Sequence, residues 1–84
     1  MRYRRDHQGN CYFFTLVTFD RQPILYGEQE IARLRSAFRT VRTAHPFEIP
    51  AIVVLLDHLH CIWQLPDGDS DFAKRWMLIK RHFS

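Results

Sequence analysis

The sequence predicts a small α+β domain of the ferredoxin-like, split βαβ kind, and three observations predict it. Aromatic and β-branched runs at 11–19, 47–56 and 59–65 read as strands. Two other stretches, at 27–44 and from about 71 onward, switch to a helical period. Their order, β-α-β-β-α, is five of the six elements of the split βαβ unit. The 84 residues allow one domain, residues 1–84, and no second one. Hydrophobic residues are 46% and charged residues 25%, which excludes a disordered chain.

Each element has its own warrant. The first strand, CYFFTLVTF, is apolar on both faces, and Asp20-Arg21-Gln22-Pro23 turns the chain after it. In the first helix Ile31, Leu34, Phe38 and Val41 form one stripe, and Pro46 ends it by pushing its predecessor out of the α region. Arg35, Arg39 and Arg42 form a second stripe on the flank of the apolar one. Pro50, near the start of the next strand, marks an edge position or a bulge. Asp57-His58 is the natural place for a tight connection to the third strand, and the break can equally lie a residue or two earlier. Pro66-Asp67-Gly68-Asp69 is a turn, with Asp69, Ser70 or Asp71 to cap the second helix. There Phe72, Trp76, Ile79 and Phe83 share one face. Phe38, Phe72, Trp76 and Phe83, with Phe13, Phe14, Phe19 and Trp63, are expected in the core.

Charge and cysteine content set the class. Twelve Lys and Arg against nine Asp and Glu give +3, with basic residues at both ends, a balance compatible with a polyanion partner. Cys11 and Cys61 have neither disulfide-framework nor zinc-finger spacing and are expected to be reduced. The longest apolar run, residues 51–56, cannot span a bilayer. Residues 11–19 follow a basic start as a signal peptide does, but Asp20, Arg21 and Gln22 replace the small cleavage-site residues. A soluble cytoplasmic domain with no membrane partner is the expectation.

The chemistry lies in DHLHCIWQLP, residues 57–66. Side chains two apart on a strand share a face, so His58 and His60 point to one side while Leu59, Cys61 and Trp63 point to the other. Two imidazoles so placed can chelate one divalent ion, and they can equally be a pair of ordinary hydrogen-bonded histidines. No spacing ties His7, His45 or His82 to the pair.

The ordered series around the histidines is more specific than the pair. It comprises Thr18-Phe19-Asp20-Arg21, Pro46-Phe47-Glu48-Ile49, Val53-Val54-Leu55, Asp57-His58-Leu59-His60-Cys61-Ile62-Trp63, Leu65-Pro66, Gly68-Asp69, Asp71-Phe72, Lys74-Arg75-Trp76 and Ile79-Lys80. In this series the chain resembles the HUH single-tyrosine transposases, and within them the REP-associated tyrosine transposases. The resemblance implies a divalent ion, Mg²⁺ or Mn²⁺, on His58 and His60, polarising the scissile phosphate of single-stranded or hairpin DNA. It also implies a tyrosine nucleophile that forms a phosphotyrosine link and reseals it to another end. Leu56 departs from the family's frequent proline before the motif.

Tyr3, Tyr12 and Tyr26 do not match the family's nucleophile position, so no catalytic residue is assigned in this chain and the tyrosine helix is expected beyond Ser84. For DNA contacts the expectation is Tyr3, stacking on bases beside Arg4 and Arg5 in a flexible start, and Arg35, Arg39 and Arg42 on phosphates. The function expected is a transposase-type domain for metal-assisted DNA strand cleavage and transfer, catalytically incomplete. The alternatives are a non-catalytic DNA-binding or regulatory remnant and an unrelated ferredoxin-like ligand-binding module. With no strand after the second helix, the edge of the first strand would stand unpaired, which predicts a homodimer.

Overall fold

The computed structural model describes residues 2–18 and 27–83, with Arg2 described by its backbone alone. The turn expected at 20–23, Phe19 and Tyr26 lie outside the described residues. The described chain runs β1 (Arg2–Gln8), β2 (Cys11–Val17), α1 (Glu28–Ala44), β3 (Glu48–Val54), β4 (His58–Gln64) and α2 (Phe72–Phe83). The strands form one sheet in the order β1-β2-β4-β3, and all neighbours are antiparallel. The α+β expectation holds, and β2-α1-β3 with β4 inserted between its strands is the split βαβ unit.

The fourth strand, expected to be missing, stands at the start of the chain. Residues expected to be a flexible start pair along β2 from Arg2↔Val17 to Gln8↔Cys11. Gly9, at φ 61°, and Asn10 make the two-residue turn between them. β1 takes the edge beside β2 that the last strand of a split βαβ unit occupies. Its charge hid it: Arg4, Arg5 and Asp6 suit an edge strand, which charged side chains protect from stray pairing. With β2 paired to both β1 and β4, the unpaired edge from which a homodimer was expected does not exist.

The core lies between one face of the sheet and the two helices. Tyr12, Phe14 and Leu16 of β2 and Leu59, Cys61 and Trp63 of β4 are all buried there, beneath Leu34, Ala37, Phe38 and Val41 of α1 and Trp76, Ile79 and Phe83 of α2. The indoles of Trp63 and Trp76 stack at 4.5 Å between ring centres and join the sheet to α2. The helical stripes expected from sequence are the ones buried, with Ile31 and Phe72 half-exposed at the rim. Phe13 is a correction: it is 48% exposed, because its place in the β2 alternation puts it on the face without helices.

A buried arginine ties the helix ends together. Arg75 Nε donates to His45 O at 3.1 Å, its Nη2 to Pro46 O at 3.0 Å, and its Nη1 to Asp71 O at 3.1 Å. Its guanidinium also grips Asp69 in a bidentate pair at 2.9 and 3.1 Å. The hydrogen bond from Arg75 holds the Asp69 carboxyl down at about 2. Asp71 Oδ1 accepts from Lys74 N at 3.2 Å, capping α2. Pro50 lies where the register of edge strand β3 shifts between Glu48 and Ala51, so it marks both the edge and the bulge. Among the described residues no helix is long and apolar enough to cross a membrane.

Candidate metal and nucleic-acid site

Strand β4 alternates strictly, with His58, His60 and Ile62 half-exposed and Leu59, Cys61 and Trp63 buried. Large apolar side chains on one side of the strand fix which way the histidines face, because a one-residue slip would expose an indole and bury an imidazole. The turn before them is closed twice: Leu55 N donates to His58 O at 2.8 Å, and Thr18 N to Asp57 O at 2.9 Å. His58 is thereby the first residue of the strand, and both rings stand on the open face with centres 5.1 Å apart.

Each ring is held by a neighbour through the same nitrogen. His58 Nδ1 lies 2.7 Å from Asp57 Oδ1, and His60 Nδ1 lies 3.0 Å from Thr15 Oγ1. Thr15 is directly opposite His60 in the β2–β4 register, and Val17 is opposite His58. Nε2 of each ring is therefore the nitrogen left for a ligand. The pair suits a divalent ion as a two-nitrogen partial site, and no cluster of three or more His, Cys, Asp or Glu is found among the described residues. Cys61 is not a ligand of that site: it points into the core, where burial pushes its thiol up to about 12. Asp57 and Thr15 were not singled out from the sequence. Asp57 was read as a turn residue and as part of the motif series, with no role toward the histidines, and Thr15 acquires its partner from a register that no local pattern contains.

The arginines do not converge. Arg4 pairs with Thr15, so it shares the open face with His60 two strands away. Arg5 is on the helix side, with its guanidinium 4.6 Å from the centre of the Phe72 ring. Arg35, Arg39 and Arg42 are exposed on α1, on the opposite side of the sheet from the histidines. They rim a groove whose floor includes Leu34, Ile49, Ile52 and Val54. Arg42 also donates from Nε to Phe47 O at 2.9 Å. Tyr3 is not in a flexible start: its ring stacks on Trp76 at 5.6 Å and carries the Lys80 ammonium 4.9 Å from its centre, so it packs half-exposed at the core rim. Tyr12 is buried on the same core side, away from the histidines.

No protein-family model matches the chain. It is 46% identical over 83 residues to a REP-associated tyrosine transposase of Escherichia coli strain K12, covering 98% of this chain and 50% of that one. It is 41% identical over 83 residues to a putative REP-associated tyrosine transposase of Haemophilus influenzae, covering 98% of this chain and 47% of that one. A solved structure of a REP-associated tyrosine transposase bound to a REP hairpin matches 99% of this chain and 50% of its own, with 44% identity and a TM-score of 0.78. The chain thus spans about half the length of the relatives it matches.

Proposed function

From its place among the REP-associated tyrosine transposases, to which this chain belongs by sequence and fold, we propose that it is a transposase-type DNA-binding domain whose His58 and His60 hold a catalytic divalent ion. The observation that carries the metal reading is the geometry of β4: two imidazoles on one open face, each tethered through Nδ1, with Nε2 outside that hydrogen bond. The ion, Mg²⁺ or Mn²⁺, would supply Lewis-acid polarisation of a scissile phosphate.

The chain's own residues divide the remaining work. Arg4, on the histidine face, is placed to hold a phosphate of the strand being processed. Arg35, Arg39 and Arg42, rising about 10 Å along α1, are placed to follow a backbone on the other side of the domain. Among the described residues, Tyr3 and Tyr12 face the helices, which supports a nucleophile other than these two. The ligand is DNA of the hairpin type, the class bound in the similar solved structure. A homodimer, for which the sequence argued, would pair through the outer edge of β1 or β3, the edges the described sheet leaves. Light scattering reads that state.

Two measurements test the reading. Mn²⁺ should raise the melting temperature, and His58→Ala or His60→Ala should remove the rise. Hairpin DNA with single-stranded flanks should bind with a steep salt dependence. A hairpin that binds while Mn²⁺ leaves the melting curve unchanged would favour the other reading, a DNA-binding remnant without metal chemistry.

A further inference from the structure

We propose that Asp57 and Thr15 are positioning residues that hold His58 and His60 as Nδ1–H tautomers, so that both Nε2 lone pairs face one divalent cation. The inference rests on the metal site proposed above and concerns side chains that touch the ligands and not the metal. An ionised carboxylate only accepts, so the 2.7 Å contact of Asp57 Oδ1 with His58 Nδ1 requires the proton on Nδ1. The His58 and Asp57 side chains are 21% and 25% exposed, sheltered enough for the bond to compete with water. Asp57 is held in place by its own backbone, since its carbonyl accepts from Thr18 N at 2.9 Å.

Thr15 does the same for His60 by a different route. Its hydroxyl can donate or accept, and only the accepting arrangement leaves His60 Nε2 free for a metal. The strand register sets it: Thr15 and His60 are directly opposed in the β2–β4 ladder, and their side chains meet at 3.0 Å on the open face. One ligand is thus oriented through the turn and the other through the sheet. A carboxylate or hydroxyl behind each imidazole fixes the ring, and loss of such a partner typically weakens metal binding about 10- to 100-fold.

Histidine ¹⁵N chemical shifts of the whole chain, recorded well above the ordinary imidazole value of ~6.5, read the tautomers without any metal. His58 and His60 should both be Nδ1–H. A Zn²⁺ titration followed on the same two resonances then reads affinity, since Zn²⁺ takes imidazole nitrogen more tightly than Mn²⁺ does. Asp57→Ala and Thr15→Val should shift His58 and His60, respectively, toward the Nε2–H form and weaken Zn²⁺ about tenfold or more. Thr15→Ser, which keeps the hydroxyl, and Asp57→Asn, which keeps an acceptor, should restore the tautomer and guard against misfolding. A wild-type Nε2–H tautomer at either ring would overturn the proposal, as would Zn²⁺ affinities unchanged in Asp57→Ala and Thr15→Val. Nδ1–H tautomers with no Zn²⁺ response at either histidine would instead overturn the metal site on which the inference rests.

Discussion

The two faces of β4 are built from the same seven residues and have opposite fates. On one face Leu59, Cys61 and Trp63 are almost wholly buried beneath the helices, and Trp63 touches Phe14, Phe38, Phe47 and Trp76. On the other, His58 and His60 stand half-exposed among Phe13, Val17, Ile62 and Val53, with one polar tether each. The difference teaches how a small domain divides stability from chemistry. The buried face carries the folding free energy through packing. The open face spends little of it and keeps two nitrogens accessible. A strand serves both ends because its period of two separates them by a single residue.

Breaking the buried face should have the largest effect. Trp63→Ala should cost about 3–5 kcal/mol, enough to unfold a domain of this size, as read by urea denaturation. On the open face, Phe13→Ser should change stability by roughly 0.5 kcal/mol or less. Equal losses at the two positions would erase the distinction.

Next in size is the buried guanidinium. Arg75→Met keeps the volume but strands three backbone carbonyls at the helix ends and Asp69, and should cost about 2–4 kcal/mol. Its acid dependence has a definite sign. The Asp69 carboxyl is held down at about 2, below its ordinary value of 3.8, so its contribution is present above about pH 4 and is lost as pH falls through 2. Asp69→Asn should flatten that acid limb of the stability curve and leave the neutral plateau only slightly lower, because the carboxylate is about one-third exposed.

The arginine groove gives a smaller and separable effect. Replacing Arg35, Arg39 and Arg42 together by Ala should lower hairpin affinity alike for all sequences and reduce the salt slope by roughly 0.7–0.9 per lost phosphate contact. Arg4→Ala should cost at most one such contact and leave the melting temperature almost unchanged. If the triple variant retains the full slope, the DNA runs over the histidine face alone.

How much of this was legible in the sequence varies by element for physical reasons. Both helices were readable because their apolar stripes are strongly periodic, and the direction of the histidines followed from strand alternation around Leu59, Cys61 and Trp63. The resemblance to the REP-associated tyrosine transposases was legible too, since local motifs survive without coordinates. β1 was missed because its outward charges mask an alternation in which Tyr3, Arg5 and His7 face the helix side; the Gly9-Asn10 pair before Cys11 was the signal that would have found it. Missing β1 also misplaced Tyr3, which took an exposed role until Trp76 and Lys80 were seen to flank its ring.

The sequence by itself determined the α+β class, the core-facing stripes and the pairing of His58 with His60 on one side of a strand, because each follows from periods of two or 3.6 residues within a single segment. Only the tertiary structure decided that Thr15 stands behind His60, that Arg4 shares its face while Arg35, Arg39 and Arg42 lie across the sheet, and that Arg75 locks two helix ends. Those relations join residues far apart in the chain. Register and layer packing set them, and no local pattern encodes either one.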